Sequence, residues 1–205
     1  DYYTWKNIAS NKIYDLDANF FISELNKAIK ALYTSKVANA PNSEINYENF
    51  WADPAYGKLP YRRGAIFAFY LDNMIKKDSN GKYCLDDLMR DFLAHSDKKI
   101  SHPFFVEMAN NYLTEDIEPF FNKHIQDGAL FDLRKLFSDF GLDYHEQAEV
   151  FEIGFDWDQN LLVTNVQKGS NAEKAGIRAG DLVVDYSFEY ERPDIQERLR
   201  IERNG

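Results

Sequence analysis

The sequence has 205 residues, with 34 acidic side chains against 24 basic ones and a formal net charge of -10. That balance excludes a surface built to track nucleic-acid phosphates or anionic lipid, since such a surface needs clustered Lys and Arg. Hydrophobic residues at 44% and aromatics at 16% exclude a disordered polymer and supply ample material for a buried core.

From Asp1 to about Asp143 the pattern is helical. The clearest helix runs from Asp17 to Ala38, where Phe21, Leu25, Ala28, Ile29 and Leu32 recur at spacings of three and four and Asp17 stands where an N-cap belongs. Asn39 to Pro60 holds three prolines and a polar cluster, which predicts a long surface excursion that returns to the core through Phe50 and Trp51. An apolar helix is expected over Tyr61 to Lys77. A Ser79-Asn80-Gly81 turn follows, then a helix over Leu85 to His95 with Asp86 and Asp87 at the positive end of its dipole. Ser101-His102-Pro103 opens a further helix as cap and early proline, with Met108 and Tyr112 sharing its inner face with Phe104 or Phe105. Shorter helices are predicted over Ile117 to Gln126 and Leu130 to Phe140, and Gly141 is a natural stop.

After Tyr144 the periodicity changes. Phe151 to Phe155, Leu161 to Val166 and Leu182-Val183-Val184 are short apolar or alternating runs, and a Gly180-Asp181 turn precedes the last of them. The expected organisation is a helical domain over 1–145 and a small β-rich domain over 146–205. The longest apolar run, Ala65 to Leu71, falls far short of the roughly 20 residues of a membrane helix, so no membrane span is expected.

The single cysteine, Cys84, excludes an intrachain disulfide framework and a zinc site of several thiolates. His95, His102, His124 and His145 lie in separate segments without the i, i+4 pairing of a helical zinc site. The segment Ala55-Tyr56-Gly57-Lys58-Leu59-Pro60-Tyr61-Arg62-Arg63-Gly64-Ala65 carries more. With Pro60 ending the excursion, Tyr61 stands at a helix start, where its hydroxyl can donate to a developing oxyanion in the positive field of two arginines. The same tyrosine also fits an amphipathic core position.

This segment, followed by Ile66-Phe67-Ala68-Phe69-Tyr70-Leu71, resembles the conserved helix of the gluzincin aminopeptidases, the clan of aminopeptidase N and leukotriene hydrolase. The resemblance implies that Tyr61 is catalytic, donating a hydrogen bond to the tetrahedral intermediate. It makes Tyr56 and Arg63 supporting residues, Tyr56 as a second tyrosine five residues earlier and Arg63 in place of the usual Lys. Gly81 and Leu85-Asp86-Asp87-Leu88-Met89-Arg90 are similar to the glycyl aminopeptidase branch, whose members carry a PDZ domain after the catalytic domain. Asn165-Val166, Gly169-Ser170-Asn171-Ala172, Ala175-Gly176-Ile177 and Gly180-Asp181 resemble a PDZ core, with Asn171 where proline is usual. Glu152-Ile153-Gly154-Phe155 resembles the carboxylate-binding loop, so Ile153, Gly154 and Phe155 are expected to bind a peptide C-terminus that adds a strand to the sheet.

Two departures shape the expectation. Only Tyr186 to Arg198 separates the strand after Gly180-Asp181 from the last one, so the helix that walls a PDZ groove is expected to be short or absent and the domain truncated. Gluzincins hold zinc with two histidines of H-E-x-x-H and a later glutamate, and Asp1-Tyr2-Tyr3 is similar to the segment just after that glutamate. The resemblance therefore implies the helical part of a zinc aminopeptidase catalytic domain, acting on peptide substrates, with its zinc ligands upstream and no catalytic zinc bound by these residues alone. The rival expectation is an inert peptidase-derived scaffold whose PDZ-like domain binds a peptide or protein partner.

Overall fold

In the computed structural model, which describes residues 1–147, 152–188, 196 and 198–203, Asp17 caps α2 (Ala18–Tyr33) by accepting from the Asn19 amide at 2.8 Å. Leu25, Ala28, Ile29 and Leu32 of this helix are buried, the face that their spacing predicts. The preceding helix, α1 (Tyr2–Ser10), and α2 both pack on the longest helix, α4 (Pro54–Asp78). The chain divides into two compact units, Asp1–Tyr144 and His145–Gly205.

The excursion expected over Asn39 to Pro60 is more ordered than its prolines suggest. It contains a 3-10 turn at Asn42–Glu44, then α3 (Tyr47–Ala52), and α4 starts at Pro54. Asp53 accepts from the Ala55 amide at 2.9 Å and Pro54 occupies the first turn, where a missing N–H costs nothing. Pro60 therefore lies inside the helix instead of ending a loop, and Tyr61 is not at a helix start. The helix runs through Pro60 because Leu59 and Arg63, one turn apart on the same face, are buried, while Pro60 itself is exposed. Trp51 does not return to the core: it is 71% exposed, with its ring edge-on to Phe50.

Downstream, α5 (Leu85–Ala94) begins with the Cys84 amide donating to the Asp87 carboxylate, and α6 (His102–Asn110) begins with Ser101 accepting from the Phe104 amide. The helix expected over Ile117 to Gln126 is split into α7 (Glu118–Phe121) and a wider π turn at Asn122–Gln126. That over Leu130 to Phe140 shortens to α8 (Leu133–Ser138), because Asp132 caps it and fixes its first turn. Ile66, Ile75, Leu32 and Leu88 are wholly buried, each contributing about 1.5–3 kcal/mol over an exposed state. Aromatic rings fill the space between helices: Tyr70 stacks on Phe120 at 3.8 Å and Phe69 meets Phe137 at 5.1 Å.

Asp72, in the interior of α4, is the polar centre of this unit. Fully buried, it accepts from the Tyr2 hydroxyl at 2.7 Å, the Lys76 ammonium at 2.8 Å and the Leu85 amide at 2.7 Å, so it ties α1 and the start of α5 to α4. Lys6 reaches it at 3.4 Å and Asp86 at 2.6 Å.

In the second unit β1 (Phe155–Trp157) pairs antiparallel with β2 (Val163–Val166), placing Phe155 opposite Val166. After α9 (Asn171–Lys174), β3 (Leu182–Ser187) pairs antiparallel with β4 (Arg198–Glu202), and a bridge between Leu162 and Leu182 joins the two ribbons. Phe155, Val163, Ala172 and Val183 form the core. The strand expected from Phe151 begins at Phe155, since Gly154 turns the chain with φ of 74°; Phe151 itself lies outside the described residues. So does most of the segment in which the groove helix is expected to be short or absent. Among the described residues no helix is long and apolar enough to cross a membrane.

Candidate active site

The sequence-selected residues Tyr56, Tyr61 and Arg63 all lie on the first half of α4, but on different faces of it. Two positions along a helix turn by about 200°, so Tyr61 and Arg63 point apart. Tyr61 is half exposed, and no described residue bonds its hydroxyl; Arg63 is 3% exposed. The Tyr56 hydroxyl donates to the Glu44 carboxylate at 2.9 Å, and the resulting negative neighbour holds the phenol above its usual pKa. Tyr56 and Tyr61 differ by about 140° around the axis, so the two phenols do not share one face.

Arg63 is fastened inward. Its guanidinium donates to the carbonyls of Ala38 at 3.1 Å, Ala40 at 2.7 Å and Ile125 at 3.4 Å. Among the described residues no carboxylate pairs with it, and burial lowers its pKa. Arg62 donates to the Ala31 carbonyl at 3.1 Å, holding α2 against the same turn. The positive groups beside Tyr61 in sequence are thus engaged with main-chain oxygens, and Lys58, exposed one turn before Tyr61, is a cation on the tyrosine's side of the helix.

Two contributors escaped the sequence reading. Glu44 ends the 3-10 turn at Asn42–Glu44, twelve residues from Tyr56, and carries no local signal of that partnership. Asp72 had one, a carboxylate within an apolar helical run.

In the second unit Gly154 and Phe155 are buried and Ile153 half-buried. The Gly154 carbonyl accepts from the Gln167 amide at 2.9 Å and from Ser170 Oγ at 3.3 Å, turning it toward the fold. A Cβ at position 154 would lie 2.7 Å from Ser170 Cβ, so close packing as well as positive φ requires glycine.

Among the described residues no group of three His, Cys, Asp or Glu side chains is arranged to hold a metal ion. His95 Nδ1 and His124 Nδ1 each donate to main-chain carbonyls at 2.8 Å, of Asp91 and Ala129, and His102 stacks on Phe121 at 4.6 Å. The residues described here therefore do not fit a zinc site of their own.

No protein-family model matches the chain, and no curated protein matches it in sequence. Its fold is similar to the crystal structure of an aminopeptidase N family protein from Idiomarina loihiensis, with a TM-score of 0.58 at 18% identity. The match covers 90% of this chain and 36% of that one, so the chain spans about a third of the length of the protein it resembles. At that identity the likeness is one of fold.

Proposed function

We propose that this chain forms part of a metallo-aminopeptidase that removes N-terminal residues from peptides, with Tyr61 as the donor to the oxyanion of the tetrahedral intermediate. The observation that carries this reading is the state of Tyr61: a half-exposed phenol with no partner among the described residues, next to two arginines that are tied to α2 and to the Ala38–Ala40 turn. An exposed phenol with no internal partner is free to donate to a developing negative charge without first breaking a bond. The aminopeptidase N-like fold supports the reaction class. Zinc, which would supply activated water, belongs in this proposal to residues outside those described, while Tyr61 donates a hydrogen bond and keeps its proton. A donor of this kind contributes about 3 kcal/mol to the transition state. Tyr61→Phe in the intact enzyme is therefore expected to lower kcat on the order of 100-fold with little change in KM. An unchanged kcat removes Tyr61 from the mechanism.

The scaffold reading has one observation in its favour. Among the described residues β1 pairs only with β2, so no described strand lies on its other edge directly after the Ile153-Gly154 turn. A PDZ-like domain would take a peptide C-terminus there. Saturable binding of a hydrophobic C-terminal peptide, lost on amidating its carboxylate, tests this.

A further inference from the structure

We propose that Arg63 is a positioning residue for Tyr61: it clasps the segment 35–53 against the first half of α4 through main-chain carbonyls, and its charge takes no direct part in the reaction. The inference rests on the reading of Tyr61 given above. It starts from Pro60, which removes the amide that would bond the Tyr56 carbonyl and so weakens the helix immediately before Tyr61. Support for that turn has to come from outside the helix, and the segment 35–53 supplies it on both sides of the proline. Before it, Lys36 pairs with the capping Asp53 at 2.8 Å, Glu44 accepts from Tyr56, and the Phe50 carbonyl lies so near Gly57 that a Cβ there would be 2.9 Å away. After it, Arg63 reaches back to Ala38 and Ala40 of the same segment.

The Ala38 to Ala40 turn is gripped from a second direction. Gly128 approaches it so closely that a Cβ would stand 2.5 Å from the Ala40 carbonyl and 2.7 Å from that of Asn39, and Ile125, just before Gly128, gives its carbonyl to Arg63. A buried guanidinium with only neutral carbonyls as partners is a costly way to fill space, for which an apolar side chain would serve better. What it provides is a planar fork that fixes several carbonyls at once, which a lysine ammonium cannot reproduce.

The test uses the intact enzyme with aminoacyl p-nitroanilides, measuring kcat and KM for Arg63→Lys and Gly57→Ala, each alone and combined with Tyr61→Phe. A donor displaced by about 1 Å loses on the order of 100-fold in rate. Arg63→Lys, which keeps the charge, is expected to lower kcat at least about tenfold with KM within about threefold, and to add less than about threefold in the Tyr61→Phe background. Pro60→Ala, which restores the missing amide, is expected to recover part of the loss. Gly57→Ala pushes the Phe50 carbonyl away without touching the buried charge, and gives the same pattern at smaller size if Arg63→Lys does not fold. Wild-type kcat in both single variants overturns the proposal, as does a loss that is undiminished when Tyr61 is Phe. An unchanged kcat in Tyr61→Phe alone is a different result, and overturns the role of Tyr61 itself.

Discussion

Asp181 and Arg203 meet side-on across 22 positions of chain, Nε donating to Oδ1 at 2.6 Å and Nη2 to Oδ2 at 2.7 Å. Nη2 also donates to the Gly176 carbonyl at 2.8 Å, and Asp181 accepts from the Arg178 amide at 2.8 Å. One carboxylate thus joins the turn after α9 to the end of β4. In a unit whose described core is four buried hydrophobic residues, such a planar two-bond pair fixes the register of β4.

The Arg203 guanidinium holds the Asp181 carboxyl at about 2, against 3.8 for an unperturbed group. A depressed carboxylate pKa stabilises the fold fully above the unfolded value, and the gain is lost as pH falls through the folded one. Asp181→Asn is therefore expected to lower the urea midpoint of the second unit at pH 7, with the gap from the unsubstituted chain shrinking between about pH 4 and pH 2. Trp157 fluorescence reads this unit, and a pH-independent gap would assign the effect to packing.

In the first unit the corresponding carboxylate is Asp72. Burial alone would push its pKa up, but bonds from Lys76, the Leu85 amide and Tyr2 outweigh burial and hold it below the usual range. Asp72→Asn removes the charge and turns one of the two accepting oxygens into an amide NH2 that faces donors, and is expected to cost about 3 kcal/mol in denaturant unfolding. Tyr2→Phe removes a single donor and should cost about 1 kcal/mol. Equal losses in the two variants would mean that the phenol, not the carboxylate, carries the junction.

His124 gives the first unit a different pH dependence. Its Nδ1 faces the Ala129 carbonyl, which can only accept, so Nδ1 carries the proton, and burial lowers the pKa of the ring below 6.5. As pH falls through 6.5 the unfolded chain takes up a proton that the folded chain refuses, so stability declines until the folded pKa is reached and then levels off. His124→Asn, which keeps a donor near the Nδ1 position, is expected to flatten the fall in unfolding midpoint between pH 7 and pH 5. Trp5 and Trp51 fluorescence follows it, and an unchanged slope would place the titrating group elsewhere.

Gly154→Ala tests the second unit by strain. The left-handed backbone and the approach of Ser170 together should cost about 3 kcal/mol. Ser170→Gly in the same chain is expected to restore part of it, because it removes the Cβ in the way; no recovery would attribute the whole cost to φ.

Helix positions in the first unit were largely legible in the sequence, because periodic burial and caps are local properties: Asp17, Ser101 and the Leu25 to Leu32 stripe each need only a few neighbours. The start of α4 was missed for the same reason. Pro60 is a local stop signal, and it was overridden by burial of Leu59 and Arg63 on both sides, which no window around the proline contains. In the second unit the Gly-Asp turn and the short strands could be read from composition, while the first strand starts later because Gly154 takes a positive φ.

For the candidate site the sequence by itself determined residue types: a tyrosine, two arginines and glycines at a spacing that suits one stretch of helix. Only the tertiary structure decided what those residues do. It turned Tyr61 outward with no partner among the described residues, and it turned Arg63 inward onto carbonyls from two other segments. It also gave Tyr56 to Glu44 and made Asp72 the junction of three helices. The reason is physical: helical phase follows from sequence spacing, but a buried donor or carboxylate takes its partners from whatever chain is folded against it, and those partners lie tens of positions away.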